Sequence, residues 1–177
     1  MAGRWFAFLR AINTGNRRLT NEQLLAPFLR MGFAEVAAYQ AAGNVALTSA
    51  EPPDERDVEA ALADAYGFAT PTFVRSATEV AGIIGAAPFT PAEIDRTAGK
   101  VQVAFLRREP SASTVAALED LVPADDLVRV IGREWYWLPT EGISGSTLPV
   151  GRVEALFGET TIRTLGTVAR MAAKLGG

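Results

Sequence analysis

Residues 8–16 read Phe8-Leu9-Arg10-Ala11-Ile12-Asn13-Thr14-Gly15-Asn16. The stretch leaves an apolar run and enters polar, turn-forming residues just ahead of a helix start, so strand, loop and helix follow one another here. Upstream, Arg4 to Arg10 (RWFAFLR) is aromatic-rich and mostly apolar, the composition of a buried strand. Downstream, Thr14 to Arg18 reads as a loop. Leu19-Thr20-Asn21-Glu22-Gln23-Leu24 then gives a helix start: Thr20 caps, Gln23 reaches back, and Leu19 staples onto Leu24. Leu24, Leu25, Phe28 and Leu29 form the inner face of that helix. Gly32 stands where a left-handed cap is wanted, with Phe33 placed to fold back onto Phe28. Pro27 is discordant, because proline in a helix interior removes a hydrogen bond and should kink or shorten the helix.

Further along, Glu35 to Tyr39 and Asn44 to Ser49 read as strands joined by an Ala42-Gly43-Asn44 turn. Asp54 caps a helix whose Val58, Ala61, Leu62 and Ala65 make one apolar stripe, ended by Gly67. Pro71 to Arg75 is a strand with proline at its start, which suits an edge. The pattern to this point is β-α-β-β-α-β, a ferredoxin-like unit assigned to residues 1–86. Ser76-Ala77-Thr78-Glu79 is a capping box for a third helix, and Ala87 to Gly99 reads as the junction. Residues 87–177 are read as a second, smaller β-α-β-β-α-α unit. Its strands are Lys100–Leu106, Leu127–Ile131 and Trp135–Leu138, and it closes on two helices. The second half echoes the first in pattern and not in residues, so no repeat is read. The fold class is α+β.

Composition narrows the chemistry. Of 177 residues, 49% are hydrophobic and 21% charged, the balance of an ordinary globular chain, and the formal net charge of -3 gives no overall field for nucleic acid. There is neither cysteine nor histidine. Disulfides, thiolate nucleophiles, serine–histidine triads and His- or Cys-ligated metals are therefore excluded; a hard-metal site of carboxylates alone is still allowed, yet no metal or other cofactor is expected. No apolar run is long enough to span a membrane, and Met1-Ala2-Gly3-Arg4 does not read as a signal peptide, so a cytoplasmic protein is expected.

Residues 8–49 resemble the opening of the DUF1697 family, a domain of unknown function. That family shows Leu-Arg-Gly-Ile-Asn, a Gly-containing loop, a Leu-rich helix ending in Leu-Gly-Phe, and Ser-Gly-Asn-Val. This chain matches with Leu9, Arg10, Ile12, Asn13, Gly15, Gly32, Phe33, Tyr39, Gly43, Asn44, Val45 and Ser49. The resemblance resumes at Ser146-Thr147-Leu148 and at Ile162-Arg163-Thr164-Leu165-Gly166-Thr167-Val168, so that it covers nearly the whole chain. Ala11 replaces a family glycine, which implies that no left-handed backbone is needed there. Thr164 and Leu165 replace a family Asn and Trp. The resemblance implies a two-part α+β fold and no reaction.

Arg10, Asn13, Asn44, Arg163 and Thr164 are the candidate ligand-binding residues, because they sit at element ends with no evident folding need. Competing readings are an ion pair for Arg10, a turn role for Asn13 and Asn44 with Asn44 tolerating a left-handed conformation, and a salt bridge from Arg163 to Glu154 or Glu159. Thr164 is the expected cap of the last helix, with Thr167 at its third position. Trp135 and Trp137 alternate, so they share a strand face; core or interface is the plain reading and stacking on a base the sharper one. Gly142-Ile143-Ser144-Gly145-Ser146 lacks the Lys-Ser/Thr ending of a phosphate loop. The leading expectation is a binding or regulatory domain whose polar groove holds an anionic small molecule or phosphate. A histidine-free enzyme acting on an anionic metabolite ranks second and a nucleic-acid-binding domain third. Self-association is a further open partner, and no membrane partner is expected.

Overall fold

The computed structural model describes residues 2–15, 18–40 and 42–176. Asn16 of the opening stretch and Arg17 of the basic pair Arg17-Arg18 lie outside the described residues. Two compact units emerge, Met1–Ile83 together with Ala169–Gly177, and Ile84–Val168. The described residues form a mixed α+β structure of two four-stranded antiparallel sheets and seven helices.

The first unit runs β1 (Gly3–Leu9), α1 (Asn21–Arg30), β2 (Ala34–Ala38), β3 (Asn44–Ser49), α2 (Glu55–Tyr66), β4 (Thr72–Ser76) and α3 (Ala77–Gly85), and its sheet order is β2-β3-β1-β4. Local chemistry sets the helix limits. Thr20 and Gln23 close a reciprocal capping box at α1, and Asp54 accepts the N–H groups of Arg56 and Asp57 at α2. Gly32 leaves α1 with φ 85°, Phe33 N–H returns to the Phe28 carbonyl, and the two rings lie 6.5 Å apart. Pro27 does not end the helix, which continues to Arg30 with the proline buried. Ala7, Leu9, Val45, Leu47 and Val74 share one sheet face and pack with Leu24 and Phe28 of α1 and Val58 and Leu62 of α2. Burying each large side chain there contributes about 1.5–3 kcal/mol. Both helices therefore cover the same face.

The edge strand β4 is covered by side chains. Glu59 accepts the Thr72 N–H at 2.7 Å and Glu55 the Val74 N–H at 2.8 Å, so two α2 carboxylates occupy the place of a neighbouring strand. At the other edge β2 carries a register shift between Ala34 and Ala37, with Glu35 at φ 47°. Arg4 ties this end together. Its guanidinium donates to the Leu175, Glu35 and Thr48 oxygens, and so caps the C-terminus of the last helix.

The second unit runs α4 (Pro91–Asp95), β5 (Gln102–Phe105), α5 (Ala112–Glu119), β6 (Leu127–Ile131), β7 (Glu134–Leu138), α6 (Val150–Phe157), β8 (Thr161–Thr164) and the start of α7 (Leu165–Leu175), with sheet order β6-β7-β5-β8. The expected pattern omitted β8, so β-α-β-β-α-α is corrected to β-α-β-β-α-β-α. Four residues ending in a helix cap carry too little periodicity to stand out as a strand. Ala104, Leu106, Leu118, Trp135, Trp137, Leu148 and Val153 form the core of this unit.

The two sheets have one topology. Replacing β1, β2, β3 and β4 by β5, β6, β7 and β8 converts one strand order into the other. Registers agree as well: Phe6 lies between Ala46 and Arg75, and Val103 between Tyr136 and Arg163. On that alignment Ala7-Phe8-Leu9-Arg10 coincides with Ala104-Phe105-Leu106-Arg107, the same four residues. The reading that the halves share no residues is thereby corrected.

Candidate functional site

Three candidate residues gather at one end of the first sheet, where β1 finishes and β3 and β4 begin. Arg10 directly follows β1, is half-buried, and donates its backbone N–H to the Pro71 carbonyl at 2.8 Å. Asn13 lies in the following loop, where its Oδ1 accepts the Leu19 N–H at 2.7 Å and holds the approach to α1. Asn44 opens β3 opposite Phe8, is buried, and donates from Nδ2 to the Tyr39 carbonyl at 3.4 Å. Its role is to close the β2–β3 connection. Among the described residues of that connection Gln40, at φ 53°, and Gly43, at φ 72°, are left-handed; Asn44 is not. A Cβ on Gly43 would stand 2.8 Å from the Leu9 carbonyl oxygen and 3.1 Å from the Ile12 side chain, so glycine is required for the turn to lie against the loop.

The loop after Arg10 is unusually wound. Ala11, Asn13 and Gly15 have φ of 57°, 56° and 58°. The expectation that Ala11 needs no left-handed backbone is therefore wrong. The alanine adopts the conformation for which the family pattern carries glycine, at a steric cost its Cβ makes unavoidable.

Arg163 and Thr164 belong to the second unit, at the step from β8 to α7. Thr164 Oγ1 accepts the Thr167 N–H at 3.2 Å, so the expected cap is present. Arg163 Nη1 donates to Thr161 Oγ1 at 2.9 Å and to the Ile162 carbonyl at 2.8 Å. Burial pushes its guanidinium down to about 10, which leaves it cationic at neutral pH. Glu159, one of its expected partners, instead lies 3.4 Å from Arg107.

Other candidates resolve into structure. Trp135 and Trp137 do share a face, yet both are buried in the core, with Trp135 stacked on Phe157 at 6.4 Å. They cannot reach a nucleic-acid base. Asp126 organises the Gly/Ser loop: its carboxylate accepts from Trp137 Nε1 at 2.9 Å, Thr140 N–H at 3.0 Å and Ser146 Oγ at 2.5 Å. Ser146 Oγ in turn accepts the Leu148 N–H, so the Ser146-Thr147-Leu148 element pins a loop. Among the described residues no group of three carboxylates could hold a metal ion. No helix there is long and apolar enough to cross a membrane.

Sequence reasoning read Pro71 and Arg75 only as the bounds of a strand and gave Glu55, Glu59 and Arg107 no part in a site. The repeated Ala-Phe-Leu-Arg was the signal that would have set Arg107 beside Arg10. No curated relative matches the chain. A solved structure, that of the conserved bacterial protein SP0830 from Streptococcus pneumoniae, is similar over 99% of this chain and 99% of that chain at 17% identity, with a TM-score of 0.72. At that identity the likeness concerns the fold alone. The family model for proteins of unknown function (DUF1697) matches residues 3–136, which takes in Arg10, Asn13 and Asn44 and stops short of Arg163 and Thr164, so the resemblance is narrower than the nearly complete one read from motifs. The chain belongs to the DUF1697 family.

Proposed function

We propose that this protein is a binding domain that holds an anionic small molecule or phosphate at the end of its first sheet, with Arg10 as the charged contact. The carrying observation is the winding of the loop that follows. Left-handed Ala11, Asn13 and Gly15 alternate with Ile12 and Thr14, whose φ angles are not positive. Alternation of this kind is the backbone pattern from which anion-binding nests are built, and it supports the reading. Strain held in two non-glycine residues beside a half-buried arginine supports a functional loop. Asn13 and Asn44 act by fixing the loop and the adjoining turn. Arg163 and Thr164 are proposed to act separately, at the β8-to-α7 corner of the second unit, whose counterpart in the first unit is the β4-to-α3 corner and not the Arg10 corner.

The finer architecture enters the same reading. The order β2-β3-β1-β4, with α1 and α2 on one face, supports a ferredoxin-like assignment for residues 1–86, and the parallel order supports one for 87–177. A cytoplasmic setting fits a chain without cysteine.

A thermal-shift screen against nucleotides, phosphorylated metabolites and inorganic phosphate tests the proposal. A binder should raise the midpoint, since ligand that binds only the folded state stabilises it. Arg10→Ala should abolish the rise while changing the unliganded stability by no more than about 1 kcal/mol. Silence across the whole panel would sink the reading.

A further inference from the structure

Each unit packs two helices side by side and leaves a recess between them. In the first unit a cavity of about 270 Å³ lies between α1 and α2, with Arg30 and Met31 on one side and Ala61 and Asp64 on the other. In the second unit a cavity of about 350 Å³ lies between α5 and α6, with Asp120 and Leu121 on one side and Arg152 and Leu156 on the other. The two recesses correspond. Arg30 ends α1, and Asp120 is the C-terminal cap of α5. Asp64 and Arg152 stand at one spacing before Arg75 and Arg163, which hold equivalent places in the two sheets. The charges are reversed between them: base on the first helix and acid on the second in one unit, acid and then base in the other. Among the described residues none of these four side chains makes an ion pair or a hydrogen bond.

Three of the four charges oppose the helix that carries them. Asp64 is in the last turn of α2, Asp120 caps the end of α5, and Arg152 is in the first turn of α6. A helix is partly negative at its C-terminus and partly positive at its N-terminus, so each of these side chains meets its own sign and folding gains nothing from it. Beside each recess stands an exposed aliphatic side chain: Leu29, next to Arg30, is 57% exposed, and Val150, just ahead of Arg152, is 46% exposed. We infer that the α1–α2 face of the first unit is a docking surface for the α5–α6 face of a second copy of this chain. Arg30 meets Asp120 of the other copy, and Asp64 meets its Arg152. Leu29 enters the larger recess and Val150 the smaller, ridge into groove. The reversed charges favour this pairing over first unit on first unit, which in the same arrangement sets Arg30 against Arg30 and Asp64 against Asp64. Two different surfaces meet, so every copy offers one and receives on the other.

The experiment is sedimentation velocity of the full chain over a concentration series, in low and in high salt. The average mass should rise with concentration, and less steeply in high salt. Arg30→Asp and Asp120→Arg should each weaken the association by about tenfold, and the two substitutions in one chain should restore it. An equimolar mixture of the two single variants should associate more strongly than either alone. Ala155→Trp fills the α5–α6 recess, which Ala155 lines, and Leu29→Ser removes the side chain that enters it; either should leave a monomer. All four positions are exposed, so the far-ultraviolet circular dichroism of every variant should match that of the unmodified chain. Arg30→Lys keeps the charge and should associate as the unmodified chain does. A chain that stays monomeric across the series overturns the inference. So does an assembly that the paired substitutions fail to restore, or one that Ala155→Trp leaves intact.

Discussion

The corners from β4 to α3 and from β8 to α7 are built alike and held differently. In each, an arginine bends back to the carbonyl of the residue before it, Arg75 to Val74 at 2.9 Å and Arg163 to Ile162 at 2.8 Å. In each, the next residue caps the helix by accepting an N–H, Ser76 from Glu79 and Thr164 from Thr167, both at 3.2 Å. The partners diverge. Arg75 is 1% exposed and faces the Glu55 carboxylate at 3.6 Å, while Glu55 also accepts from β4. Arg163 is held by the Thr161 hydroxyl. One backbone solution thus carries an ion pair to a helix carboxylate in the first unit and a contact to a strand hydroxyl in the second.

The contrast breaks most visibly by substitution of the two arginines. Arg75→Ala strands a carboxylate that is largely withdrawn from water, and should cost about 3–5 kcal/mol. Arg163→Ala removes, among its contacts, those to the Thr161 hydroxyl and the Ile162 carbonyl, and should cost less, about 1.5–3 kcal/mol. Urea midpoints of the two variants measure the gap; equal losses would mean that the corners are energetically equivalent after all.

Alkaline titration sharpens the comparison on the outer sheet positions. Tyr136 of β7 stands where β3 has Ala46, and burial, with Glu134 adding to it, pushes its phenol up to about 12. The folded state then holds a proton that the unfolded state releases from about pH 10. The contribution of Tyr136 to stability should be constant below pH 10 and be lost between pH 10 and about 12, by about 2 kcal/mol or less. Tyr136→Phe should flatten that fall by the share belonging to Tyr136. An unchanged slope would show that the phenol ionises as readily folded as unfolded.

The smallest effect is expected at the loop positions that follow the repeated segment. Ala11 is left-handed, whereas its counterpart Arg108 is not among the residues of positive φ. Ala11→Gly should therefore stabilise by about 0.5–1 kcal/mol, and Arg108→Gly should not. A loss of stability in Ala11→Gly would mean that the strain in the loop is relieved by contacts of the alanine methyl.

Much of the fold was legible because its signals were local. The Thr20–Gln23, Asp54 and Ser76–Glu79 caps and the Gly32–Phe33 return each need only a few neighbouring residues, and each is present. What escaped depended on distance along the chain. β8 is recognisable through its pairing with β5, and the kinship of the halves through register, neither of which periodicity reports. At the candidate site, the end-of-strand positions of Arg10 and Asn44 could be read from the sequence. The winding at Ala11 could not be read from alanine, because its cost is met by surrounding structure rather than signalled by residue type.

The cross-strand pairs also bear on how the chain avoids assembling itself wrongly. With two sheets of one strand order and a shared Ala-Phe-Leu-Arg, a newly made chain could insert the central strand of one sheet into the other, the exchange to which repeated units are prone. Volume guards against it. Phe6 sits opposite small Ala46, and smaller Val103 opposite bulky Tyr136. An exchanged β1 would press Phe6 onto Tyr136, and an exchanged β5 would leave a void beside Ala46. Overpacking and cavity formation each cost on the order of 1–3 kcal/mol, so both errors are penalised at once. Reciprocal side-chain size thus works as an address label, directing each central strand to its own sheet during folding.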